Sequence, residues 1–178
     1  MPSPPTHALG IDPGLEGAIC LYEIATKRIW VFDMPVAVGS HRCGARTRSH
    51  VDPARLAAIV DQFKFQAGPG RLHAAVELVG SMPRQAGAFN FGVSAGVVHG
   101  VLGALSIPMA LIPPAVWKQA MGLRRIANES QAGNKTRARE LAMKIFPEQA
   151  ALFARVKDDG RAESVLLSFF YAQKMGWV

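Results

Sequence analysis

Short apolar segments separated by tight polar turns make up the beginning of the chain. Segments 7–12, 18–24 and 28–35 follow one another closely, and this spacing predicts an antiparallel meander of three strands. Two later apolar segments, 72–80 and 107–114, predict two more buried strands. We therefore expect a sheet of five strands.

Apolar positions recur at helical spacing between and after these strands. Helices are predicted over 51–65, about 86–105, 115–122, 135–147 and 161–175, and the polar segments 39–50 and 123–134 are expected to be loops. A helix between two strands of one sheet needs a crossover, so the fourth and fifth strands should run parallel to their neighbours. The expected fold is α/β: a five-stranded mixed sheet, three strands antiparallel and two parallel, flanked by helices.

Length and composition fit one globular domain. The chain has 178 residues, 49% of them hydrophobic, so we expect a disordered lead-in at 1–6 and a single domain over 7–178. Its two cysteines, Cys20 and Cys43, form neither a disulfide framework nor a metal-binding pair, and no secretory signal is evident. These features predict a cytoplasmic setting.

Residues 92–114 are apolar over nearly the length of a membrane span, and glycine recurs at every fourth position from 92 to 100. Against that reading, His99 lies in the middle of the run, Pro108 would break the helix, and basic residues do not cluster on one flank. We therefore expect no transmembrane helix and no membrane partner.

The chain is strongly basic, with a net charge of +7 at pH 7. A polyanion is the expected partner, with a membrane surface as the competing explanation, and charge alone does not choose between them. The cationic side chains fall into two groups: His41, Arg42, Arg46, Arg48 and His50, then Lys118, Arg124, Arg125, Lys135, Arg137 and Arg139. If these groups bind phosphates, affinity falls steeply with salt; a merely solvated basic face is the alternative.

Acidic residues are scarce, and several lie within or beside apolar segments. Asp12 ends the first predicted strand, Glu77 lies near the end of the fourth, and Asp158, Asp159 and Glu163 surround the start of the last helix. A buried carboxylate is costly unless it is paired or binds metal, and such a cluster of hard oxygens suits Mg²⁺ or Mn²⁺. Two such ions, roughly 3.5 to 4 Å apart, can activate a water and stabilise the leaving oxygen of a phosphodiester.

Each acidic residue also has a purely structural interpretation. Asp12 precedes Pro-Gly and can be a turn residue, whereas an isolated Glu77 in a central strand is harder to explain without chemistry. Asp158 or Asp159 can cap the last helix. Asp159 and Glu163 are four residues apart and can share a helix face, so Asp158 is the better cap.

Taken together, these residues resemble a known family. The stretches that carry the resemblance are "GIDPGLEGAI", "VELVGSMPRQAGAFNFGVSAGVVHG", "PPAVWKQAMG", "NKTRARELAMKIFP" and "KDDGRAES", and they cover nearly the whole chain. In this order they resemble the RuvC-type Holliday junction resolvases of the RNase H-like superfamily, with a pattern nearest the versions carried by bacteriophages. The resemblance implies an RNase H-like fold and a crossover junction endodeoxyribonuclease.

The resemblance also implies roles for individual residues. The metal ligands would be Asp12, Glu77, Glu163 and either Asp159 or Asp158, and Lys118 and Lys135 would lie near the scissile phosphate. The implied cofactor is Mg²⁺, with two ions in each active site, and Mn²⁺ could replace it. The last motif departs from the family, which usually has two aspartates three residues apart, so the choice between Asp158 and Asp159 stays open.

The region after Glu77 predicts contacts with branched DNA and with a second subunit. Two aromatic residues there can stack on an unpaired base, although aromatics at a helix start are more often core. The predicted DNA-binding residues are Arg42, Arg46, Arg48, Arg84, Phe89, Phe91, Arg124, Arg125 and Arg137. In the resembling family the following helix helps form a homodimer, and two active sites are needed to cut a four-way junction symmetrically. His99 on that helix fits an interface or the core better than a metal site.

The leading hypothesis is a metal-dependent endonuclease that resolves four-way DNA junctions by paired nicks, with water attacking the phosphodiester in line. One alternative is another RNase H-like nuclease acting on RNA–DNA hybrids or branched replication intermediates. A second is a junction-binding protein that no longer cuts. An actin-like ATPase or sugar kinase would need a second domain, for which the chain is too short.

Overall fold

A computed structural model describes residues 5–39, 48–78, 80, 88–127 and 130–178. The strands are β1 (His7–Ile11), β2 (Ala18–Glu23), β3 (Arg28–Asp33), β4 (Val36–Gly39), β5 (Arg48–Val51), β6 (Leu72–Glu77) and β7 (Met109–Ile112). The α-helices are α1 (Pro53–Ala67), α2 (Ala88–Ala104), α3 (Pro114–Ala120), α4 (Gln131–Ile145) and α5 (Asp159–Lys174). Two 3₁₀ helices, Pro147–Phe153 and Val156–Asp158, lie between α4 and α5.

The main sheet has five strands in the order β3-β2-β1-β6-β7. β1 pairs antiparallel with β2, and β2 pairs antiparallel with β3. β6 runs parallel to β1 on one side and to β7 on the other, because α1 and α2 provide the crossovers. This is the mixed sheet predicted from the sequence.

Helices cover both faces of this sheet. Side chains alternate between the two faces along each strand, so neighbouring residues enter different cores. On β1, Ala8 belongs to the core that contains residues of α4 and α5, whereas Leu9 and Ile11 belong to the core that contains residues of α1 and α2. The central strands are therefore buried on both sides, and their carboxyl ends are where polar side chains can reach solvent.

The first residues of α1 and α4 are each fixed by a capping side chain. Asp52 caps α1, because its Oδ1 accepts hydrogen bonds from the backbone N–H groups of Ala54 and Arg55 at 3.0 and 3.1 Å. α4 begins at Gln131, four residues earlier than predicted. Ser130 accepts a hydrogen bond from the backbone N–H of Gly133 at 3.1 Å and so caps a segment that was expected to be a loop.

The prediction of a loop over 39–50 is wrong at both ends. β4 and β5 form a separate two-stranded antiparallel sheet, in which Val36 pairs with Val51 and Gly39 with Arg48. Val51 is buried in the core beneath α1 and α2, and this contact fixes the sheet against the domain. Residues 40–47 lie outside the described part of the chain.

The apolar segment that could have suggested a membrane span contains α2 and β7 with a turn between them. In the described part of the chain, no helix combines the length and the hydrophobicity needed to cross a membrane. The glycines of α2 at 92, 96, 100 and 103 do not pack against the sheet, because a Cβ added at any of them would meet no other described atom within 4 Å. The stripe of glycines is therefore exposed on the surface of α2.

Candidate active site at the carboxyl ends of β1 and β6

Asp12 and Glu77 lie side by side at one edge of the main sheet. The parallel register pairs Ile11 of β1 with Val76 of β6, so the next residue along each strand is one of these two acids. Asp12 is also a turn residue, since its Oδ1 accepts a hydrogen bond from the backbone N–H of Gly14 at 3.1 Å. The turn thus holds the carboxylate of Asp12 at the strand end instead of removing it from the site.

α5 crosses these strand ends at very short distance because glycines face it. A Cβ on Gly10 of β1 would overlap the backbone oxygen of Ser164 in α5. A Cβ on Gly160 of α5 would overlap the backbone oxygen of Glu16 in the turn after Asp12. Both contacts involve backbone, which cannot move aside as a flexible side chain can. The two glycines therefore set the close approach that brings the start of α5 over Asp12.

Two acids of α5 and two lysines complete the arrangement. Lys118 of α3 donates hydrogen bonds from Nζ to both carboxylate oxygens of Glu163, each at 2.9 Å. Lys135 of α4 forms an ion pair with Asp159. We call Asp12, Glu77, Asp159 and Glu163 the acidic cluster.

The electrostatics of the acidic cluster show a surplus of negative charge. Burial raises the pKa of Asp12 to about 6 and that of Glu77 to about 7. These values include a smaller increase caused by nearby Glu163 and a decrease caused by Lys118. Four carboxylates face two ammonium groups, so two negative charges remain uncompensated when all four acids ionise.

This donor set fits a hard divalent cation. All four groups offer carboxylate oxygens, which Mg²⁺ and Mn²⁺ prefer, and a divalent ion would supply the missing positive charge. Within the described residues no three acidic, histidine or cysteine side chains are yet close enough together to hold a metal ion. The ion pairs from Lys118 and Lys135 occupy Glu163 and Asp159, so those lysines would have to release the carboxylates for a metal to bind.

Asp158 has different partners, although it is adjacent to Asp159. Its carboxylate is 1% exposed and accepts hydrogen bonds from the backbone N–H of Arg155 at 2.8 Å and from the guanidinium of Arg155 at 2.7 Å. Arg161 lies 3.8 Å away and holds Asp33 at 2.5 Å. We call Asp33, Arg155, Asp158 and Arg161 the arginine network.

The arginine network lowers the pKa of Asp158, mainly through the hydrogen bond from Arg155. Asp158 occupies the N-cap position of α5, yet its side chain makes no capping hydrogen bond there and turns back to Arg155 instead. The structure therefore does not support the interpretation of Asp158 as the side-chain cap of the last helix.

The predicted DNA-binding residues are only partly described. Arg42, Arg46 and Arg84 lie outside the described residues, and only the backbone of Arg48 is described. Phe89 is 80% exposed, so it is not a core residue. Phe91 is half-buried. Its ring lies against Gly14, in the turn after Asp12, because a Cβ added to that glycine would be 3.5 Å from Cε2 of Phe91.

The second basic group surrounds the connection between α3 and α4. Arg124 and Arg125 are exposed there. Arg137 donates hydrogen bonds to the backbone oxygens of Gly122 at 3.1 Å and of Arg124 at 2.9 Å, so it also holds this connection against α4. A basic surface next to Lys118 and Lys135 therefore includes at least one residue with a structural task.

Residues that the sequence patterns do not single out include Trp117, Gly10 and Gly160. Trp117 is completely buried and donates its indole N–H to Oε2 of Glu77 at 2.8 Å. Its position next to a predicted active-site lysine was a usable signal, because a buried tryptophan N–H usually finds a hydrogen-bond partner. The close contacts of Gly10 and Gly160 depend on elements distant in sequence, and no local pattern predicts them.

Comparison with solved structures finds this fold in a bacterial protein. The chain matches the structure "T. thermophilus RuvC in complex with Holliday junction substrate" with a TM-score of 0.53 and 18% sequence identity, over 96% of both chains. It matches "Thermus thermophilus RuvC structure" with a TM-score of 0.51 and 16% identity, also over 96% of both chains. No protein-family model and no curated protein matches the sequence. The architecture is RNase H-like, as predicted.

Proposed function

We propose that the protein is a metal-dependent, structure-selective endonuclease that resolves four-way DNA junctions by paired nicks. The observation that carries the proposal is the convergence of the acidic cluster with Lys118 and Lys135 at the carboxyl ends of β1 and β6. Buried, undercompensated carboxylates at one edge of a sheet are what a metal-dependent nuclease needs. The match to a solved chain that is bound to a Holliday junction supports the choice of substrate.

The residues divide into ligands and phosphate-binding groups. Asp12, Glu77, Asp159 and Glu163 would hold Mg²⁺, or Mn²⁺ in its place. When bound, the metal supplies an activated water and stabilises charge on the leaving oxygen. Lys118 and Lys135 lie against the same carboxylates and, once released from them, can bind the oxygens of the scissile phosphate.

The surface around the site suits branched DNA. A net charge of +7 and the exposed Arg124 and Arg125 supply positive charge along the connection from α3 to α4. Phe89, which is 80% exposed at the start of α2, offers a ring on which an unpaired base can stack. Binding should therefore weaken steeply as salt increases.

Paired nicks also require two active sites, and α2 offers a surface for a second subunit. Its glycines at 92, 96 and 100 are exposed, and Val93 among them is 44% exposed. A stripe of this kind lets the same helix of a second copy approach closely in an isologous homodimer. We propose this homodimer as the active form, and its mass in solution is the direct measurement.

Cleavage of defined substrates tests the activity. The protein is incubated with a synthetic four-way junction, the matching linear duplex and an RNA–DNA hybrid, each with Mg²⁺ and with EDTA. We expect paired nicks in the junction only, and only with Mg²⁺. Equal cleavage of hybrid and junction would favour a general RNase H-like nuclease, and junction binding without cleavage would favour a purely architectural protein.

Loss of either central carboxylate should separate binding from cleavage. We expect Asp12→Asn and Glu77→Gln each to reduce junction cleavage by more than about 100-fold, because each removes a charged oxygen that the reaction needs. Junction affinity should stay near that of the wild type in both variants. Asp61→Asn is the matched control, since Asp61 is exposed on α1. Cleavage at the wild-type rate in either test variant would overturn the proposed site.

A further inference from the structure

Trp117 connects the hydrophobic core to the acidic cluster. The side chain is 0% exposed and belongs to the core on the α5 side of the sheet. Its indole N–H nevertheless donates a hydrogen bond to Oε2 of Glu77 at 2.8 Å. Tryptophan has a single polar hydrogen and no acceptor, so this contact uses its whole hydrogen-bonding capacity on one carboxylate.

The backbone around Trp117 brings the indole beside Glu77. β7 ends at Ile112, and α3 begins at Pro114 after Pro113 alone. Glu77 ends β6, and the backbone N–H of the following residue, Leu78, bonds to the oxygen of Ile112 at 2.9 Å. The acceptor therefore projects from the end of β6, and the donor projects from α3, which begins one residue after the end of the neighbouring strand β7.

The same helix also reaches the other side of the cluster. Lys118 bonds both oxygens of Glu163, and its Nζ lies 5.1 Å from the centre of the Trp117 ring. A cation over the face of an indole is attracted to it. Adjacent residues of α3 thus contact two carboxylates, one from β6 and one from α5.

We propose that Trp117 is a positioning residue that holds the Glu77 carboxylate in the orientation needed to bind the metal. The indole N–H of Trp117 bonds to Oε2 of Glu77 and makes no bond to Oε1. The carboxylate is therefore held in one orientation while Oε1 can still bind the metal. A free glutamate side chain would lose conformational freedom on binding the metal, and the bond to Trp117 reduces that cost in advance. This inference rests on the proposed function, because it assumes that Glu77 is a metal ligand.

The test removes the N–H and keeps the ring. Trp117 is replaced by β-(3-benzothienyl)alanine, in which sulfur takes the place of the N–H, and separately by Trp117→Phe. Mn²⁺ affinity is measured by electron paramagnetic resonance on the full chain, and thermal melts report folding. We expect both variants to bind Mn²⁺ about 10- to 100-fold more weakly than the wild type, as for other partners of metal ligands.

Tyr22→Phe is the matched control. Tyr22 is equally buried, and its hydroxyl has no hydrogen-bond partner among the described residues, so Mn²⁺ affinity should not change. The benzothienyl variant keeps the shape of tryptophan, so it remains informative even if Trp117→Phe does not fold. A folded benzothienyl variant with wild-type Mn²⁺ affinity would overturn the inference, and so would a wild type that binds no Mn²⁺.

The junction assay separates this inference from the proposed function. If the wild type cleaves junctions while the benzothienyl variant binds Mn²⁺ normally, only the role of Trp117 is wrong. If Mn²⁺ affinity depends on the indole N–H while the wild type cuts no junction, only the proposed activity is wrong.

Discussion

Asp158 and Asp159 are adjacent in the chain and have opposite surroundings. Asp158 is buried and bound by the guanidinium of Arg155, with Arg161 close by. Asp159 pairs with Lys135 and lies within the acidic cluster around Asp12. Successive residues at the start of a helix point in directions about 100° apart, so one helix start supplies side chains to both regions.

The two regions differ in the kind of cation that balances them. In the arginine network, planar guanidinium groups form several hydrogen bonds to each aspartate, and the pKa values of Asp33 and Asp158 are lowered. In the acidic cluster, lysines act as single point charges, and burial raises the pKa values of Asp12 and Glu77. A network satisfied by arginine is suited to holding structure, whereas an undercompensated cluster is suited to binding a metal.

The largest expected effect comes from removing the charge of Asp159. We expect Asp159→Asn to reduce junction cleavage by about 100-fold or more, because a neutral amide is a poor ligand for a hard cation. Its thermal stability should stay close to that of the wild type, since the lost pair with Lys135 is partly exposed. Cleavage rates and melting temperatures of the same preparation check both statements. Cleavage by Asp159→Asn at the wild-type rate would show that Asp159 is not part of the active site.

The second expected effect is a loss of stability as the pH rises toward neutral, which bound metal should reverse. The pKa values of Asp12 and Glu77 are about 6 and about 7 in the folded protein, above their ordinary values of 3.8 and 4.5. The folded state then holds protons that the unfolded state has lost, so in EDTA the free energy of unfolding falls as the pH rises from about 4 to about 7. A decline of about 2 kcal/mol or more is expected, since one pKa unit corresponds to about 1.4 kcal/mol.

Asp33 and Asp158 act in the opposite direction. Their lowered pKa values add stability that is present at neutral pH and is lost as the pH falls below about 4. Thermal melts from about pH 3 to 8, in EDTA and in Mg²⁺, measure the loss of stability toward neutral pH and the loss toward acid pH. We expect Mg²⁺ to restore stability on the neutral side only. Equal stabilisation by Mg²⁺ at both ends of the range would contradict the separation of the two regions.

The sequence predicts the acidic cluster better than the arginine network, for a physical reason. The apolar pattern places Asp12 and Glu77 at the ends of two predicted strands, and the structure adds the strand order that makes these strands neighbours. The mixed sheet itself is confirmed. The roles of these residues as metal ligands stay predictions until the variants are measured.

The choice between Asp158 and Asp159 depends on where α5 begins. The 3₁₀ helix Val156–Asp158 runs directly into α5, which therefore starts at Asp159, two residues earlier than predicted. Whether a side chain faces the cluster or Arg155 is set by this junction, and by the close contact of Gly160 with Glu16. Neither feature has a periodic pattern, so the sequence favoured Asp158 as the cap but left the choice of the fourth ligand open.

The smallest expected effect tests the structural side of the comparison. Asp158→Asn keeps the shape of the side chain and removes the charge that Arg155 and Arg161 surround. We expect a loss of about 1 to 2 kcal/mol in the free energy of unfolding, less than for a fully buried pair because Arg155 is exposed and water can replace its bonds. Junction cleavage by the folded variant should stay within about threefold of the wild type, because the proposed site uses Asp159 and not Asp158. Denaturant titration and a cleavage assay on one sample give both values. A variant of unchanged stability that no longer cuts would show that Asp158, not Asp159, completes the acidic cluster.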